Sequence, residues 1–132
     1  MINQKIIQIA SDTKNYGLKN KSMYSTSIKN KKCGDVIKVE LDIKLNQIIN
    51  MRYETSSCIY CQATASLLSK KIKLFKVKTL KNDIENILKI LRGINKLPVK
   101  LKIFKEILNK KNIARYDCIM LPFNALKKAL KI

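Results

Sequence analysis

From Ile37 to Leu45 the apolar residues Ile37, Val39, Leu41, Ile43 and Leu45 alternate strictly with Lys38, Glu40, Asp42 and Lys44. A period of two sends alternate side chains to opposite faces of an extended chain, so this run predicts a half-buried strand. After Asn46-Gln47 the alternation resumes, with Ile49, Met51, Tyr53 and Thr55 set against Asn50, Arg52 and Glu54. Two alternating runs about a two-residue break predict an antiparallel hairpin. A weaker run from Met23 to Ile28 is expected to supply a third antiparallel strand.

Beyond Ser57 the period changes to that of a helix. Helices are expected over about Cys58 to Lys71, Asn82 to Arg92, Leu101 to Asn109 and Pro122 to Leu130. In the second, Leu80, Ile84, Ile87, Leu88 and Leu91 form one stripe, Asn82 and Glu85 have capping-box spacing, and Gly93 sits where a helix usually stops. In the last, Pro122 suits a first helical position, and Phe123, Leu126 and Leu130 make the apolar edge. Strands followed by a run of helices predict an α+β fold, a three-stranded antiparallel sheet with helices packed on one face. With three glycines, two prolines and no linker or repeat, residues 1–132 are expected to form one domain.

Composition narrows the chemistry. Histidine and tryptophan are absent, which removes Ser-His-Asp and Cys-His catalytic pairs, a histidine general base and histidine metal sites. The formal charge of +19 invites a nucleic-acid reading, but the lysines are scattered and only three of the 28 basic residues are arginine, the side chain that forks onto phosphate and guanine. The 20 Ile, 25 Lys and 12 Asn together look like the product of an A- and T-rich genome. The excess charge is therefore expected to favour acidic partner surfaces rather than nucleic acid. The longest uncharged stretch, Thr55 to Ser69, is polar and shorter than the roughly 18 apolar residues of a membrane span. The opening MINQKIIQIASD does not read as a secretory signal. A cytoplasmic setting with reduced thiols and no membrane association is expected, and there grouped cysteines point to metal or redox work.

The four cysteines fall at boundaries between expected elements. Cys33 precedes Gly34-Asp35 in the turn that opens the first long strand, Cys58 and Cys61 lie where the second gives way to a helix, and Cys118 comes shortly before the final helix. A cysteine at a helix start faces the positive end of the helix dipole, which favours the thiolate that attacks sulfur or binds metal. Cysteine is also one of the most buried residue types, and a single Cys-x-x-Cys lacks the second pair of a zinc ribbon. The spacing alone allows a metal or cluster site, a thiol carrier, or packing.

CGDVIKVELDI over residues 33–43, SCIYCQATASLL over 57–68 and ARYDCIMLPFNALKKAL over 114–130, led by Asn15-Tyr16-Gly17, together resemble the NifU-N/IscU-like iron–sulfur cluster scaffold family. The resemblance covers most of the chain and is weakest over residues 72–113. It implies a scaffold or carrier rather than an enzyme, one that accepts sulfur from a cysteine desulfurase, holds a cluster such as [2Fe-2S], and passes it to recipient apo-proteins. Cys33, Cys58 and Cys118 would be the thiolate ligands, and Asp35 a weaker fourth ligand that eases release. Related branches imply an alternative, a zinc-containing sulfur acceptor that stimulates the desulfurase and carries persulfide. A homodimer around a shared cluster is left open. The chain departs from the IscU pattern at Asp117, where a histidine is usual, and at Cys61, where a small residue is usual. Cys61 could be a further thiolate, a helper in persulfide transfer or a buried small residue. Leu97-Pro98-Val99-Lys100 is similar to a chaperone-recognition segment but lies about twenty residues too early, so no chaperone is implied.

Overall fold

The computed structural model describes residues 3–132. Strands β1 (Tyr24–Lys29), β2 (Val36–Lys44) and β3 (Gln47–Ser56) form an antiparallel sheet in the order β1-β2-β3. The alternation places Ile37, Val39 and Leu41 of β2 and Met51 and Tyr53 of β3 on the buried side. Helices α1 (Gln4–Ser11), α2 (Ile59–Lys70), α3 (Leu80–Leu91) and α4 (Tyr116–Leu130) complete the α+β fold. Helix α4 packs on β1 and β2, α2 on β3 and α4, α1 on α2, and α3 on α4. Among the described residues no helix is long and apolar enough to cross a membrane.

The hairpin turn lies one residue earlier than the alternation predicts. Leu45 and Asn46 occupy it, both left-handed with φ of 49° and 66°, as a tight hairpin turn with a matching twist demands. Leu45 is thus a 91 % exposed apolar residue, although it continues the alternation as the last inward position would. A register shift between Asp42 and Ile43 absorbs the offset.

The segment leading into β1 first pairs with the outer edge of β3, through a parallel bridge between Tyr16 and Tyr53, and then crosses the face of the sheet opposite the core. Gly17 N–H donates to the Tyr53 carbonyl at 2.7 Å, and Arg52 Nε and Nη2 donate to the carbonyls of Gly17 and Tyr16 at 2.6 and 2.9 Å. Glu40, only 4 % exposed, accepts the backbone N–H groups of Lys19 and Asn20, each at 2.7 Å. A buried carboxylate is tolerable only with such donors. At the other rim, Lys128 Nζ donates to the Ser27 carbonyl of β1 at 2.9 Å.

The helical region departs from expectation in four places. Helix α1 was not foreseen, although Asn3 caps it by accepting Ile6 N–H at 2.9 Å and Ile6, Ile9 and Ala10 have helical spacing. Helix α3 begins at Leu80 after Thr79, so Asn82 lies inside it and is not its cap. The stretch expected as a helix from Leu101 is a 3-10 turn over Val99–Phe104 followed by irregular chain. Helix α4 starts six residues before Pro122, which lies inside it. Proline cannot donate to the carbonyl four residues back, so the Cys118 carbonyl loses its helical partner there. All three phenylalanines of the chain, Phe75, Phe104 and Phe123, meet in the core with ring centroids 6.1–6.4 Å apart.

Candidate metal centre

Cys33 sits in the loop between β1 and β2. Asn30 N–H donates to the Asp35 carbonyl, and Gly34 N–H to the Asn30 carbonyl, each at 2.8 Å. Lys32 N–H donates to Asn30 Oδ1 at 3.0 Å. Gly34 adopts φ +78°, a conformation that costs glycine little and has open space where a Cβ would stand, so backbone freedom explains this glycine. The loop leaves Cys33 exposed and sets Asp35, 8 % exposed, at the foot of β2.

Cys58 is the N-cap residue of α2, with extended backbone and no side-chain capping bond, so its thiol is not spent on the helix end. Cys118 is in the first turn of α4, not ahead of the helix as the proline suggested, and is 7 % exposed. The ligand atoms of Cys33, Asp35 and Cys118 all lie within 4.8 Å of one another. Cys58 lies close enough to raise the pKa of the Cys118 thiol, but its sulfur is not one of the three ligand atoms that converge within 4.8 Å. Three segments remote in sequence thus bring Cys33, Asp35, Cys58 and Cys118 to one end of the sheet.

The electrostatics there are those of a site short of positive charge. Burial pushes the Cys118 thiol well above the ordinary range, and Cys58, Asp35 and Cys33 add to the rise through hydrogen bonding and like charge. Asp35 Oδ2 is buried with no hydrogen-bond partner among the described residues. A buried carboxylate oxygen left unpaired is costly, and a bound cation would satisfy it while drawing the thiols into the thiolate form. Two converging sulfurs and one oxygen, with the Cys58 thiol nearby, are donors of the kind that suit zinc or an iron–sulfur cluster.

Cys61 stands one turn behind Cys58 and is fully buried. Its sulfur is 4.0 Å from Thr55 Oγ1, and burial pushes its thiol up to about 12, against hydrogen bonds from Ser57 and Thr55 and with the charges of Asp35 and Cys58 adding to the rise. Only about one molecule in 10,000 would carry the Cys61 thiolate at pH 8. In the metal-free protein, iodoacetamide at pH 8 is therefore expected to label Cys33 at least tenfold faster than Cys61, followed residue by residue by mass spectrometry. Equal rates would show that Cys61 is not enclosed.

A hollow of about 400 Å³ lies elsewhere, on the strapped face of the sheet between Leu18, Ser25, Lys38 and Glu40, and is lined by none of the cysteines.

Fold and site together define a small α+β domain that offers thiols and a carboxylate at one end of its sheet. Residues 1–131 match the family model of the NifU-like N terminal domain, and the chain belongs to that family. It is 31 % identical over 132 residues to the iron-sulfur cluster assembly scaffold protein IscU of Thermotoga maritima, covering 99 % of this chain and 93 % of that protein. It is 29 % identical over 101 residues to an uncharacterized Borreliella burgdorferi protein, covering 76 % of this chain and 70 % of that one. Two crystal structures share the fold, each with a TM-score of 0.85. The N-terminal part of a NifU-like protein from Brucella abortus has 18 % identity and covers 98 % of this chain and 91 % of its own. A protein from Fervidobacterium islandicum, assigned as an iron–sulfur cluster assembly scaffold for the SUF system, has 21 % identity and covers 98 % and 96 %.

Proposed function

We propose that this protein is an iron–sulfur cluster assembly scaffold or carrier. It accepts sulfur from a cysteine desulfurase, holds a cluster, expected to be [2Fe-2S], on Cys33, Cys58 and Cys118 with Asp35 as the fourth ligand, and transfers it to recipient apo-proteins. The observation that carries the reading is the convergence of Cys33, Asp35 and Cys118 within 4.8 Å beside Cys58, with a carboxylate oxygen buried and unpaired among them. Membership of the NifU-like family and the similarity to a protein named as an IscU scaffold support it. A carboxylate holds soft iron less firmly than a fourth thiolate would, which suits a site that must give its cargo away. The reading carries with it a cytoplasmic location, where thiols stay reduced.

The compactness of the donor set also favours a second reading, a zinc-containing sulfur acceptor that stimulates a desulfurase. Donors within 4.8 Å of one another fit around a single ion with bonds of about 2.3 Å to sulfur. One experiment separates the two. Protein purified without oxygen is analysed for metal, then incubated with ferrous iron, cysteine, a desulfurase and a dithiol reductant that supplies the two electrons turning persulfide sulfur into sulfide. The scaffold reading expects charge-transfer absorbance, labile sulfide, and activation of an added apo-ferredoxin. Stoichiometric zinc that resists iron and yields no cluster would replace it with the acceptor reading.

A further inference from the structure

Asp35, Cys58 and Cys118 are held by the foot of a strand, the cap of a helix and the first turn of another. Cys33 differs. Its loop is closed by bonds among Asn30, Lys32, Gly34 and Asp35, all internal to the loop. What ties the tip of that loop to the rest of the site is an ion pair, Lys32 Nζ to Asp117 Oδ2 at 3.6 Å. Lys32 directly precedes Cys33 and Asp117 directly precedes Cys118. The pair therefore spans the same gap that bound cargo would span. Of the four ion pairs found among the described residues, it alone joins two segments that carry these thiols.

Resting on the cargo-site reading above, we propose that Lys32 and Asp117 are positioning residues: their ion pair is a latch that holds the Cys33 loop closed over the cargo and slows its release. The side chains are 76 % and 36 % exposed, so the latch is weak and screened by salt. A weak latch suits a carrier. It changes how long the loop stays shut without changing whether the protein folds, and an approaching acidic surface can compete for Lys32. Asp117 is the fixed half, an acid in the first turn of α4 where the helix dipole favours it.

The latch makes a prediction of unusual sign. Lys32 is a cation beside a cation site, so by charge alone its removal should make a metal ion bind longer. If the latch operates, removal should shorten its stay. The test loads the whole protein with zinc and follows zinc release to an excess of a chelating dye. Both Lys32→Gln and Asp117→Asn are expected to release zinc about two- to fivefold faster, with Lys32→Arg close to the parent. The double variant should be no faster than either single one, since the two residues act as one pair. Raising the salt should speed release from the parent and have little effect on Lys32→Gln. Slower release from Lys32→Gln, additive effects of the two substitutions, or equal salt dependence in parent and variant would overturn the latch. A parent protein that holds no zinc or cluster at all would overturn the site reading instead.

Discussion

Replacing Cys118 by serine is expected to weaken metal binding about 100-fold or more and to abolish cluster assembly, with the fold retained. Four-ligand zinc binding supplies roughly 10–16 kcal/mol in small structural sites, so one donor accounts for about a quarter of that. A serine oxygen is harder than sulfur and stays protonated near neutral pH, so it replaces neither the softness nor the charge of the thiolate. The change removes little volume and leaves Phe123 and Leu126 to hold α4 in the core, so the far-ultraviolet spectrum and the melting temperature of the metal-free protein should stay close to those of the parent. Cys61→Ser is the matched control, because Cys61 is fully buried one turn behind Cys58 and already has Thr55 as a neighbour. It should keep metal and cluster. Zinc titration and cluster absorbance read both variants, and a Cys118→Ser protein that loads like the parent while Cys61→Ser does not would exchange the roles assigned here.

Phe123→Ala is expected to be the most damaging change away from the thiols. Phe123 is fully buried and packs against Phe75 and Phe104, with centroids at 6.3 and 6.1 Å. Deleting a buried phenylalanine costs about 3–5 kcal/mol through lost transfer energy and the cavity left behind, a large share of the roughly 5–15 kcal/mol that stabilises a domain. The urea midpoint should fall by roughly 2 M at a typical slope for this size. A shift corresponding to less than 1 kcal/mol would mean that the aromatic cluster does not anchor α4. Phe75 and Phe104 come from the stretch that least resembles the family, so this cluster is also how the divergent region is tied to the helix bearing Cys118.

The strands were readable because one face of the sheet packs on the core, so Ile37 to Lys44 had to alternate. The turn was misplaced by one residue because a leucine in a left-handed turn obeys the same alternation as a leucine in the core. Pro122 misled for a similar reason. A proline marks a helix start by default, yet α4 tolerates it inside, and the Arg115–Tyr60 stacking contact at 5.8 Å that meets the true start is not visible along the chain. Spacing could not show that Cys33 and Cys118 meet with Cys58 nearby, because that depends on how β2, α2 and α4 pack. The family resemblance supplied that expectation. It offered no hint of the Lys32–Asp117 pair, which exists only once the loop and α4 are side by side.

Cargo bound at the tip would act as a removable staple. Joining Cys33 to Cys58 and Cys58 to Cys118 closes loops of roughly 25 and 60 residues. By the chain-entropy argument used for disulfides, each closure restricts the unfolded chain by an amount worth about 3–4 kcal/mol. A laden molecule would therefore survive proteolysis and heat that an empty one would not, and the carrier's own persistence would record whether it is loaded.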